Sequence, residues 1–322
     1  VSEALRVKRA FGEEIWPRFS EAVVPFLIYN EEWQFLIGHP RPPASWEKVG
    51  GDVFEGQPYF RKPTEDNQAF AVEVGDLWAG SLDGLESMNR EMEKQVKERF
   101  KDREVTPALL QMFLLRPEQH VAALLHEALH AFQAMSFPRR FDQALSAYSL
   151  ENDYPYDNQA FGEAWNEEGL LLGRAYAERD GDEMRSLVRQ FLELREKRRR
   201  SAGLPPKLLV FERDLEWLEG LGKYAEIRFA ELAYREAQDK DKAKGYRVAF
   251  NRARVDMQSR LSRLGDQSGD LRFYLSGAVQ AILLDRLAPG WKAEFEPVGA
   301  SLEELLARAV GMSDRERPFP RT

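Results

Sequence analysis

The stretch "HVAALLHEALHAFQA", residues 120–134, gathers three of the chain's four histidines into one apolar segment. An α-helix turns about 100 degrees per residue, so positions four apart share a face one turn from each other. His126 and His130 can therefore aim two imidazoles at one point, as a zinc ion requires. Glu127 lies about 100 degrees round from His126, beside such a metal rather than on it. From there it can take a proton from the attacking water, the part the glutamate plays in the HExxH pattern. With four histidines and 54 acidic residues in 322, chance supplies on the order of 0.01 such patterns. The apolar flanks "VAALL" and "AFQAM" make two unpartnered buried imidazoles costly, which also favours a shared metal.

The other histidines read differently. His120 falls about 120 degrees off the ligand face and is expected to be structural. His39, in the loop "GHPRPP", has no supporting pattern. Because neither suits the metal, a carboxylate is the natural third ligand. A net charge of -8 argues against nonspecific nucleic-acid binding, which needs a basic surface. The exception, "REKRRR" at 195–200, is read as a solvated helix end. The absence of cysteine removes disulfides and thiol catalysis. No apolar run approaches the roughly 18 residues of a membrane span. The chain begins "VSEALRVKR" without methionine; the compartment stays open, with a slight lean towards export.

Outward from the histidine helix, the texture changes once. "AVVPFLIY" (22–29), "WQFLIG" (33–38), "DVFEGQPYF" (52–60) and "QAFAVEVG" (68–75) are short β-branched and aromatic runs. They predict a small, mostly antiparallel sheet within residues 1–80, packing on the active-site helix. From about 81 to 322 the apolar spacing is helical. Helices are expected near 83–100, 106–114, 117–136, 158–178, 181–200, 207–238, 241–263, 270–287 and 301–311, with residues 140–206 read as a helical insertion. The expected fold class is α+β, predominantly α-helical.

"HEALH" followed by "WLEGLGKY" (217–224) resembles the gluzincin metallopeptidases, in which a glutamate on a later helix completes the site. The resemblance implies a zincin-like catalytic domain holding one zinc ion, with His126, His130 and Glu219 as ligands and Glu127 as general base. A second "EG", at Glu168-Gly169, leaves Glu168 as the alternative ligand, and Glu226, two turns after Glu219, as an outer partner or substrate contact. "LRFYLSGAVQ" (271–280) is similar to the tyrosine-bearing helix of the aminopeptidase group. That similarity makes Tyr274 the expected oxyanion donor. No G-x-M-E-N exopeptidase motif is present. In zincins an edge strand beside the active-site helix pairs with an extended peptide, and "DVFEGQPYF" or "QAFAVEVG" can supply it. The expected activity is hydrolysis of peptide or protein substrates. The alternatives are an inactive zincin-fold binding or scaffold protein, and a zinc hydrolase of a non-peptide amide or ester.

Overall fold

The computed structural model of the chain describes residues 1–65, 69–101, 104–237, 240–267 and 269–312. In chain order these form α1 (Ser2–Ile15), strands β1 (Phe26–Tyr29), β2 (Trp33–Ile37), β3 (Glu47–Lys48), β4 (Phe60–Pro63), β5 (Phe70–Val74) and β6 (Leu77–Asp83), then α2 (Leu85–Arg99), α3 (Pro107–Phe113) and α4 (Pro117–Ser136). Then come α5 (Pro138–Ala147), a 3-10 turn (Tyr148–Asp153), α6 (Gln159–Ala177), α7 (Gly181–Ser201) and α8 (Pro206–Leu215). A π turn (Glu216–Gly220) leads into α9 (Leu221–Glu236), followed by α10 (Lys240–Leu261), a 3-10 turn (Leu264–Asp266), α11 (Leu271–Leu287), α12 (Trp291–Val298) and α13 (Leu302–Ala309). The fold is mixed α+β and mostly helical, as the periodicity predicts. Contacts divide the chain into two compact units, residues 1–137 with 225–251, and residues 138–224 with 252–322.

The first unit holds the whole sheet, in the order β3-β4-β2-β1-β6-β5. Every pairing is antiparallel except β1 with β6, which is parallel. Alternation puts Leu27, Leu36, Val74 and Ala79 into one buried cluster with Trp46. The stretch "DVFEGQPYF" is not one strand. An isolated bridge joins Phe54 to Gln57, and pairing starts only at Phe60. Two consecutive left-handed residues in one tight turn, Glu55 and Gly56 with φ 49 and 76, break the extended run. Gln68, first residue of "QAFAVEVG", lies outside the described residues; the rest of that stretch supplies β5. Helix α1 is absent from the sequence expectation, yet its apolar positions Ala4, Val7, Phe11 and Ile15 fall at helical spacing and are buried.

Helix α4 crosses β6 at very close range. A Cβ on Gly80 would stand 2.7 Å from the Ala128 backbone nitrogen, so only glycine fits there. Ala128, inside "HEALH", is fully buried. On another side of α4, Phe132 packs against Phe19 with ring centroids 5.0 Å apart, and Phe19 meets Phe229 at 6.1 Å. Burial of each such ring contributes roughly 1.5–3 kcal/mol.

The second unit is helical, and α6 packs mainly on α7. Here "REKRRR" departs from expectation. Arg195, Arg198 and Arg199 are buried, at 0%, 2% and 3% exposure. Their i, i+3, i+4 spacing sets three guanidinium groups on one face. Glu168, Glu212, Glu216 and Glu303 meet them, and Arg213 joins through Glu303. Four positive groups thus face four negative ones, which is what makes the burial tolerable. The rings of Trp165 and Phe161 add cation–π contacts to Arg198, at 4.2 and 4.8 Å. Two breaks in the expected helix pattern, "SFPRR" and "APGW", prove to border short helices, α5 and α12.

Candidate metal centre

Helix α4 spans 117–136, as its periodicity predicts, with Pro117 at its first position and a capping interaction between Arg116 and Gln119. Its apolar face buries His126 (5% exposed) and His130 (0%), their rings 4.7 Å apart between centroids. Glu127 is half-buried on the adjacent face. Burial, with smaller contributions from the Asp83 and Glu127 charges, pushes the Tyr29 phenol up to about 12, so Tyr29 stays protonated near the acid.

Both imidazoles have oriented partners in the first unit. His130 Nδ1 lies 3.0 Å from Gln133 Oε1, three residues on along the same helix. An amide oxygen can only accept, so this contact favours the tautomer protonated at Nδ1. Glu226 Oε2, on α9, stands 3.7 Å from His126 Nδ1 and favours the same tautomer there. Phe70 of β5 lies against His130, with ring centroids 4.6 Å apart. His120 and His39 are elsewhere. His120 Nε2 is 2.8 Å from the Asp83 carbonyl at the end of β6, and His39 Nε2 is 2.8 Å from the Val74 carbonyl. Both tie backbone.

In the second unit, the expected continuous helix over 207–238 is interrupted by the π turn at Glu216–Gly220. Bonding i to i+5 slows the rotation per residue. Over three residues, Glu216 and Glu219 diverge by about 120 degrees instead of the roughly 60 of an α-helix. Each buried carboxylate therefore finds a different partner. Glu216 takes two bonds from Arg195, at 3.0 and 2.8 Å, and one from Ser276 at 2.6 Å. Glu219, 2% exposed, accepts from the Tyr148 hydroxyl at 2.8 Å. Gly220 allows this turn to touch α11: a Cβ there would be 2.5 Å from Gly277 Cα.

The Tyr148 hydroxyl also lies 2.9 Å from Asp270 Oδ2. Burial, and the Glu219 and Asp270 charges, push its phenol far above the ordinary tyrosine value, while burial raises Asp270 as well. Tyr274, half-buried in the first turn of α11, is near enough for its charge to add to the shift on Tyr148.

Among the described residues, one group of three ligand-type side chains brings its donor atoms within 4.8 Å of one another: His126, His130 and Glu219, all buried. Two imidazoles and one carboxylate are a donor set that could hold a metal ion. The other glutamate left open by the sequence, Glu168, is taken up by Arg195 and Arg198 inside the arginine cluster. Sequence reasoning missed Gln133, Tyr148 and Asp270. The i+3 spacing from His130 to Gln133 was a usable signal; Tyr148, in "ALSAYSLEND", carries none.

No protein-family model, curated protein or solved structure matches this chain.

Proposed function

We propose that the protein is a zinc-dependent peptidase of the gluzincin kind, with a zincin-like catalytic fold. The observation that carries this reading is the buried His126, His130 and Glu219 group with Glu127 adjoining the first ligand. His126, His130 and Glu219 hold the ion. Bound zinc supplies Lewis acidity, polarising a carbonyl and lowering the pKa of its water to about 7. Glu127 accepts the proton as water attacks and passes it to the leaving amine. Tyr274 donates to the oxygen on which negative charge develops.

A peptide substrate is favoured over other amides or esters by β5. It is the terminal strand of the sheet order, and its Phe70 touches His130. An edge strand offers unpaired main-chain groups to an extended chain, which a small ester could not use. No helix among the described residues is long and apolar enough to cross a membrane. The experiment measures metal content and cleavage of a mixed peptide library for wild type and Glu127→Gln. Stoichiometric zinc in both proteins, with hydrolysis about 10²–10⁴-fold slower in the variant, is expected. Zinc without cleavage by either protein would leave a binding or scaffold role in place of the peptidase.

A further inference from the structure

We infer that a cavity beside α1 is a binding site for a monocarboxylate with an apolar body, whose charge Lys8 neutralises. Lys8, on α1, is 3% exposed, and its Nζ donates to the Ser20 and Ala22 carbonyls at 3.3 and 2.7 Å. The centroid of the Phe19 ring is 5.0 Å from it. Two carbonyls and a ring supply dipoles, not a countercharge. Among the described residues no carboxylate forms an ion pair with Lys8, whereas the buried Arg195, Arg198 and Arg199 each meet glutamates. Burial, with the neighbouring Arg9 adding to it, lowers the Lys8 amine to about 8. A buried ammonium short of a countercharge is stabilised by an anion placed against it.

Room for such an anion adjoins the amine. Lys8, Ser20 and Ala22 all line one cavity of about 450 Å³, built wholly from the sheet-bearing unit. That size falls within the ~300–1,000 Å³ of small-molecule pockets. The apolar wall is Leu5, Val23, Val24, Ile37, Phe54 and Pro58. Val23 is more than half exposed, so apolar surface reaches the cavity mouth. The other charged residues of the lining are Arg9, Glu21 and Glu55. Glu55 stands 3.8 Å from Arg9, and Glu21 is exposed, where water and salt screen it. The lining therefore offers one desolvated positive charge and a stretch of aliphatic and aromatic carbon. An amphiphilic acid matches both. An inorganic anion would leave the carbon wall wet, and an uncharged hydrocarbon would leave the ammonium uncompensated. None of these residues belongs to the metal group, so the site stands or falls apart from the peptidase reading.

The test is calorimetric titration of the whole chain, wild type and Lys8→Met, with hexanoate, octanoate, octanol and N-acetyl-leucine. Wild type should bind octanoate at least about tenfold more tightly than octanol, one decade being the effect of about 1.4 kcal/mol. It should also prefer octanoate to hexanoate, by about fourfold for each of the two added methylenes. Lys8→Met should keep octanol and lose the preference for the acid. Equal binding of octanoate and octanol by wild type, a preference that survives in Lys8→Met, or no saturable binding of either acid would overturn the site. Octanoate tighter than N-acetyl-leucine assigns a free aliphatic acid, and the reverse assigns the carboxyl terminus of a peptide. A pH series on wild type decides the matter even if Lys8→Met does not fold. A bound carboxylate holds the amine protonated, so octanoate affinity should be level from about pH 6 to 7 and fall at least about tenfold by pH 10, while octanol stays level. An octanoate profile as level as that of octanol would overturn the role of Lys8.

Discussion

Glu216 and Glu219 stand three residues apart on one π turn, both buried, yet they belong to opposite kinds of cluster. Around Glu216 every charge is answered from within: Arg195, Arg198, Arg199 and Arg213 face Glu168, Glu212, Glu216 and Glu303. Glu219 instead accepts from the Tyr148 phenol, and its carboxylate groups with the ring nitrogens of His126 and His130 within 4.8 Å. A buried carboxylate closed by guanidinium groups is a structural element, whereas the reading proposed above gives Glu219 to a metal ion. Proximity in sequence says nothing about which role a residue takes. The partners do.

The comparison can be broken most severely at Arg195. Replacing it with methionine leaves Glu168, Glu216 and Glu303 short of a partner and should destabilise the protein by about 3–5 kcal/mol in denaturant unfolding. A loss below about 1 kcal/mol would mean the cluster is not an internally balanced unit. Acid sharpens the contrast on a smaller scale. Burial pushes the Glu303 carboxyl up, but Arg199, Arg213 and Arg195 outweigh it and hold the group down at about 2. Its folded value lies below its unfolded one, so its contribution is complete above about pH 4.3 and is lost as pH falls towards 2. Denaturant midpoints across that window should fall for wild type, and the fall should shrink by on the order of 2 kcal/mol in Glu303→Gln. Coincident curves would remove Glu303 from the account. The smallest effect is expected at the exposed Arg41–Asp76 pair, where Arg41→Ala should change stability by under about 0.5 kcal/mol. A larger change there would show that charge burial is not what separates these sites.

The histidine helix was legible because two signals coincide: an apolar 3.6-residue period over 117–136 and donors spaced one turn apart. The same period misled at "REKRRR". Arginines at 195, 198 and 199 share a face whether that face meets water or glutamate, and their partners lie at 168, 212, 216 and 303, beyond any local window. The π turn was hidden for a related reason. Nothing in "EWLEG" forbids an α-helix; the wider turn coincides with separate demands on Glu216 and Glu219, made by side chains from α7, α11 and the turn after α5. Tyr148 could not be found at all, because its hydroxyl contacts lie far along the chain, at 219 and 270.

The contact of Gly80 with Ala128 carries one more consequence. Where α4 crosses β6, two main chains touch with no side chain between them. The offset from the sheet edge to the histidine pair is therefore set by backbone geometry, which all sequences share, rather than by the sizes of interposed residues. Such a site can keep its dimensions while the surrounding side chains drift, and its tolerance should end abruptly at the two small residues that form the contact. Descendants of this chain would be expected to vary around Gly80 and Ala128 far more freely than at them.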